Sequence, residues 1–335
     1  MRLLSGSQLI WVLALLLPAA LLCSLFIGPT NISPLVIFNG QQHQDLMILR
    51  EIRLPRTLLS ALIGAVLAIS GAVLQGLFRN PLADPSLIGI SAGASVGASV
   101  AIVFGMNWVS VWAIGGLSVV AFGAFVGGMA AVLLVYRLST TSEGTSVPTM
   151  LLVGIAVSAL AAAINNLMSF VVDNELLRRI SFWQMGNLDL ANWSRVQLCA
   201  FMSVGFLLLL RQQAKNLNAF LLGESEARHL GLDVDAIKKR LIFLAALGVG
   251  VATAMAGTIA FVGLIVPHLV RIMSGPDHRT LIPASGLLGA IILLLADLIS
   301  RVLLAPSELP VGVVTAFLGV PFFIYLLRQQ KGRIM

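Results

Sequence analysis

The chain of 335 residues is 58% hydrophobic and only 10% charged, with a formal net charge of +7. A soluble domain carries about 25% charged residues, so this composition excludes an ordinary aqueous surface and makes lipid the solvent for most of the molecule. The basic excess falls mostly in short segments between apolar runs, a pattern of membrane orientation rather than of nucleic-acid binding.

The first apolar run is Leu9–Ile27, just after Met1-Arg2. It is long for a signal-peptide core and leads into no small-x-small cleavage site, so it reads as a retained first span. A helix needs about 20 apolar residues to cross the hydrocarbon core. Uncharged runs of that kind recur at Thr57–Leu77, Leu87–Gly105, Val109–Tyr136, Thr149–Val172 and Val196–Leu210, and again at Leu281–Ala296 and Leu309–Leu327. Two cysteines, Cys23 and Cys199, sit inside such runs as small buried hydrophobes, with no metal-site or disulfide spacing. Gly93-x-x-x-Gly97 and Gly123-x-x-x-Gly127 read as close helix packing.

Leu241–Val270 is long for one span and short for two, and contains Gly257, Gly263 and Pro267. Loop charge decides the count. With two spans there, and the N-terminus cytoplasmic, fourteen Lys and Arg fall inside and seven outside. A single span would reverse that bias. The positive-inside rule therefore predicts ten spans with both termini cytoplasmic, in an all-α polytopic chain whose residues 1–335 form one transmembrane domain.

No phosphate-binding loop, no dinucleotide fingerprint and no His, Cys or carboxylate cluster of catalytic type occurs. The chain is expected to be a transporter, not an enzyme, and to bind no cofactor or metal. Ion-coupled carriers keep ionisable residues at mid-membrane depth. Here Asp297 is the main exception, with Arg301 four residues on as a helical ion pair. The longest inner loop, about 211–240, holds a predicted short helix over Glu224–Leu230 stopped by Gly231. It suits a docking lug for a soluble partner and equally an ordinary interfacial helix. Arg53-Leu54-Pro55-Arg56, just before the second span, reads either as snorkelling side chains or as anchors for a partner's carboxylates.

These segments carry a resemblance. Ile52 to Thr57, Ser70 to Pro85, Leu222 to Gly231, Gly263 to His268 and Glu308 to Thr315 resemble, in order along nearly the whole chain, the FecCD family. Its members are permeases of bacterial type II ABC importers. The resemblance implies that fold, ten spans per subunit in a homodimer, and residence in the bacterial inner membrane. Two cytoplasmic ATPase subunits would carry ATP and Mg, and a periplasmic binding protein would deliver the cargo. By the same resemblance, Arg53, Arg56 and Arg301 match arginines that face the binding protein. Leu222, Gly223, Glu224, Ser225, Ala227, Arg228, Leu230 and Gly231 match the helix that couples to the ATPase, within about 220–231. Thr149–Val172 matches the helix lining the central path, with Asn165, Asn166 and Ser169 as its polar residues, although polar groups there also read as interhelical hydrogen bonds. Ser142–Thr149 matches the cytoplasmic gate region, placing Ser146 and Val147 there.

For cargo, Phe78 to Gly89 and Leu176 to Trp193 look most like haem importers, ahead of ferric-siderophore and cobalamin permeases. Arg178 and Arg179 suit the two propionates of haem, and Phe182 and Trp183 offer an apolar face to a macrocycle. The alternative is that both arginines hold the loop to headgroups or to the binding protein.

Overall fold

The computed structural model describes residues 5–30, 32, 43–105, 118–142 and 144–331. Helix α1, Gly6–Phe26, opens on a capping box between Ser5 and Gln8. The short α2, His43–Met47, runs through a π-helical turn, Ile48–Arg53, into α3, Leu54–Leu77. The wide turn has a local cause. Pro55 has no N–H to give and its ring crowds the carbonyl four residues back, so the preceding turn opens.

After α3 the chain does not run straight into the next span. Phe78–Gly89 folds back against the bundle and closes with a 3₁₀ turn at Pro85–Ile88, capped by Asp84 and ended by Gly89 at φ 79°. The Leu87 carbonyl lies on Gly154, and the Pro85 ring reaches Gly263. Helix α4, Ile90–Phe104, therefore begins inside the bundle, and its 15 residues are fewer than a full span needs. Next come α5, Val119–Ser139, and a two-stranded antiparallel ladder pairing β1, Thr140–Thr141, with β2, Gly144–Thr145. They are followed by α6, Val147–Val171, and the amphipathic α7, Asn174–Gln184. The long α8, Trp193–Phe220, leads to the short α9, Glu224–His229.

The ambiguous stretch resolves into two helices, α10, Val234–Ala256, and α11, Val262–Ser274. Gly257 at φ 71° and Phe261 at φ 68° make the break. The chain finishes with α12, His278–Val302, and α13, Val311–Lys331. Among the described residues, seven helices are long and apolar enough to cross a membrane, and Ile90–Phe104, Val262–Ser274 and Val311–Leu326 are apolar but shorter.

Helices α3, α10 and α12 form the centre, and α1 and α6 present most of their surface outward. Without a hydrophobic force between helices in lipid, close approach must come from small side chains. The two sequence-predicted small-residue motifs do pair. Gly93 and Gly97 of α4 lie against the Gly127 and Gly123 carbonyls of α5. Gly64 meets Gly289 across α3 and α12, and Gly71 lies on the Gly263 carbonyl at the start of α11.

A Cβ at Gly71 has no room, whereas one at Gly205 meets nothing within 4 Å. Gly71→Ala is therefore expected to cost about 1–3 kcal/mol, read as a lower melting temperature of the detergent-purified protein. Gly205→Ala in the same assay should not lower it, because alanine is the better helix former.

Candidate functional site

The functional side chains gather at the two ends of α3. Its 24 residues separate those ends by about 36 Å. At its start, Asp297 of α12 is fully buried and bound by two arginines. The Arg56 Nε donates to Asp297 Oδ1 at 2.9 Å, and the Arg301 Nε lies 3.1 Å from Oδ2. The Arg56 Nη1 also reaches Glu308 Oε2 at 2.7 Å and Asp189 Oδ1 at 3.0 Å. Arg301 donates through Nη2 to the Ser24 carbonyl at 3.1 Å and its hydroxyl at 2.9 Å. Arg53 donates to the carbonyls of Leu25 and Phe26, each at 2.9 Å, and to Thr30 Oγ1 at 2.8 Å. It thereby meets the negative end of α1. Burial pushes the Glu308 carboxyl above its usual range; the hydrogen-bonded Asp189 adds to this, and Arg56 opposes it.

This bears on one expectation. Arg53, Arg56 and Arg301 are 4%, 7% and 3% exposed. Their guanidinium groups are committed to the chain's own carbonyls and carboxylates, so none stands out as a free anchor for a partner. A guanidinium that cannot reach water must satisfy its donors internally: Arg53 does so on the end of α1 and Thr30, Arg56 on three carboxylates, and Arg301 on Asp297 and Ser24. The sequence-predicted ion pair of Asp297 with Arg301 is present, as one edge of this larger network.

Beside the network is a cavity of about 670 Å³. Helix α7 lines it with Glu175, Arg178, Arg179, Phe182 and Trp183, and Ser118, Asn187, Asp189 and Arg195 add further polar groups. Arg178 stacks 5.4 Å from the Phe182 ring centre, and Arg179 pairs with Glu175 at 2.8 Å. Arg195 is buried and donates to the Met255 carbonyl at 3.0 Å. Sequence reasoning had counted it only as a loop charge.

The polar residues of α6 divide. Asn165 bridges to α4, donating to Ser95 Oγ at 2.8 Å and accepting from Ser99 Oγ at 2.6 Å. For Asn165 the interhelical reading therefore prevails over a free pore-lining one. Asn166 lies on the exposed face, and Ser169 is half-buried.

At the far end of α3, Arg79 comes within 3.8 Å of a Cβ built on Gly223, just before α9. Helix α9 covers Glu224–His229, with Gly223 at φ 125° and Gly231 at φ 82°. Gly231 ends it by a double cap: Leu232 N–H donates to the Ala227 carbonyl and Gly231 N–H to that of Arg228. Ala227 is fully buried and seats the helix, whereas Leu222 and Leu230 are 65% and 63% exposed at its two ends. Ser225 faces outward. Two ion pairs tie α9 to α10: Glu224 with Lys238 at 2.6 Å and Arg228 with Asp235 at 3.0 Å. Lys238 also donates to the Thr145 carbonyl at 3.1 Å. Thr145 is the last residue of β2, so Lys238 joins α9 to the segment carrying Ser146 and Val147. Ser146 caps α6, accepting from the Thr149 N–H and hydroxyl at 3.4 and 2.9 Å. Val147 begins that helix and is half-buried. No local spacing in the sequence announces the Lys238 contact, because its partners lie 14 and 93 residues away.

An apolar helical bundle with seven helices long enough to cross a membrane among the described residues is the architecture of a polytopic membrane protein. The sequence from residue 15 to 329 matches the FecCD transport family, and the chain belongs to it: it is a permease subunit of an ABC importer. It is 39% identical to the hemin transport system permease protein of Yersinia pestis over 98% of this chain and 96% of that one. It is 44% identical to the cobalamin import system permease protein of Halobacterium salinarum over 86% and 75% of the respective chains. Among solved structures, a metal-chelate type ABC transporter in an inward-facing conformation superposes with a TM-score of 0.86 at 32% identity, covering 96% of this chain and 99% of that one.

Removing one partner of a buried ion pair strands the other charge. Asp297→Asn should destabilise the protein by about 3–5 kcal/mol, seen as a large drop in the thermal midpoint in detergent. An unchanged midpoint would show that Glu308 and Asp189 alone compensate Arg56 and that Arg301 needs no carboxylate.

Proposed function

We propose that two copies of this chain form the translocation path of a haem importer in the cytoplasmic membrane. The observation that carries this reading is the cavity lined by Arg178, Arg179, Phe182 and Trp183, which offers guanidinium groups for carboxylates and ring faces for a macrocycle. The alignment with the hemin permease over almost the whole of both chains supports it. The cobalamin relative keeps cobalamin as the second reading, with ferric siderophores beside it.

In this reading the seven long helices and the three shorter apolar ones supply ten spans per subunit, with both termini and α9 on the cytoplasmic side. Two ATPase subunits, which carry ATP and Mg, dock on α9 through Leu222, Leu230 and the polar face between them. A binding protein docks at the Arg56 end. There Arg53, Arg56 and Arg301 act by fixing the surface segments 25–30, 187–192 and 303–309 rather than by reaching outward. The outward apolar face of α6, including Leu152, Leu160 and Phe170, meets the second copy across the path, with Asn166 and Ser169 near it. Ser146 and Val147 form the cytoplasmic gate. Lys238 is the physical link from the ATPase to that gate, since it holds both Glu224 of α9 and the Thr145 carbonyl.

The cargo is tested by reconstituting the permease with its ATPase and binding protein and comparing ATP-dependent uptake of haem, a ferric siderophore and cobalamin. Haem is expected to be taken up severalfold faster than either; faster cobalamin or siderophore uptake would replace the cargo while leaving the importer intact. In the same vesicles, Lys238→Met should leave the complex assembled and hydrolysing ATP while lowering uptake per ATP by about tenfold, the scale set by one charged hydrogen bond. Full coupling in that variant would remove Lys238 from the route.

A further inference from the structure

Among the described residues, the buried cation on the cavity wall that no carboxylate pairs is Arg195; Arg178 also lacks an ion pair but is exposed. Arg195 stands in the first turn of α8 and is only 7% exposed. Its guanidinium spends one contact on the Met255 carbonyl at 3.0 Å and a second, at 3.4 Å, on Ser118 Oγ. A guanidinium carries five donors, and contacts to the described residues use two of them. Among the described residues no carboxylate pairs with it.

The carboxylates that share the cavity wall are already engaged. Glu175 holds Arg179 at 2.8 Å, and Asp189 is turned to Arg56 at 3.0 Å and Asn187 at 2.8 Å. Much of the remaining wall is apolar, with Ile102, Val120, Trp183 and Met255. A buried charge without a partner is costly to keep, and a cavity that places one against apolar walls is built to receive an anion on an apolar body. We propose that Arg195 is the carboxylate-receiving residue of the cargo site, taking one acidic arm of an amphipathic macrocycle whose face lies on Trp183. The proposal rests on the cargo reading above and adds to it the residue that selects for a carboxylate.

The test compares haem with its dimethyl ester, which has the same ring and no free carboxylate. Binding to the permease–ATPase complex in nanodiscs, without the binding protein, is read by quenching of tryptophan fluorescence against empty nanodiscs. The wild type is expected to bind the free acid about tenfold or more tighter than the ester, the scale of one charged hydrogen-bonded pair. Arg195→Gln should bind both forms as weakly as the wild type binds the ester. Arg195→Lys, which keeps the charge but loses the bidentate fork, should retain part of the preference, and it carries the test if the glutamine variant does not accumulate. A purely structural role, through the Met255 contact, would weaken both ligands equally and leave their ratio intact; that result overturns the assignment. Equal binding of acid and ester by the wild type also overturns it while sparing the cargo. Binding of neither form above empty nanodiscs would instead bring down the haem reading, and the Arg195 assignment with it.

Discussion

The contact on which this end of the bundle depends is Asp297 between Arg56 and Arg301. The carboxylate has no exposed surface, so it can remain charged only where cations replace its water. Meeting that need draws α3 and α12 together. Arg301 then extends the network to Ser24 on α1, and Arg56 extends it to Asp189 and Glu308 in two connecting segments. Five pieces of chain that hydrophobic burial alone would leave free to slide in lipid are fixed in register by a few directional bonds. The glycine contacts set how near the helices come, and the ion network sets where along their length they stop.

The opposite end is built differently. Helix α9 is six residues long and too short to be stable by itself. It is held by one buried alanine, a double carboxyl-terminal cap and two ion pairs to α10. Lys238 bonds both to this helix and to the β ladder that precedes α6. A displacement of α9 thus has a short, polar and directional route to the first turn of α6. The Arg56 end, by contrast, ties its segments to one another through buried charges, a rigid arrangement suited to orienting a surface.

Much of this was legible in the sequence, because the lipid solvent makes composition a strong constraint. Apolar runs located the long helices, with ends within a few residues for Gly6–Phe26, Leu54–Leu77 and Val147–Val171 but about ten residues off at the start of Val119–Ser139 and the end of Trp193–Phe220. The loop charges divided 241–270 into two helices where hydropathy was ambiguous. The glycine pairs were read as packing and do pack against one another. The burial of Arg53, Arg56 and Arg301 was not legible. Their ligands are carbonyls at the end of α1 and carboxylates far away in sequence, and no local pattern distinguishes a snorkelling arginine from a buried one. Leu87–Gly105 was read as a full span, whereas its helix begins only at Ile90, because Pro85 and Gly89 set a turn whose packing against Gly154 and Gly263 is tertiary. Lys238 and Arg195 were counted only as charges for orientation, although one bridges two elements and the other lines a cavity.

The distribution of polar groups bears on what the interior can do. Asn165 spends its amide on Ser95 and Ser99 of the neighbouring helix. The outward face of α6 is otherwise largely apolar, with Leu152, Ile155, Leu160 and Leu167 all exposed in the single chain. Such a face offers a passing solute little directional bonding. In the proposed reading, discrimination falls where guanidinium groups meet ring faces, in the cavity beside the Arg56 network. For a transporter that asymmetry is useful. In that reading, a path that bound cargo as tightly as its mouth would trap it.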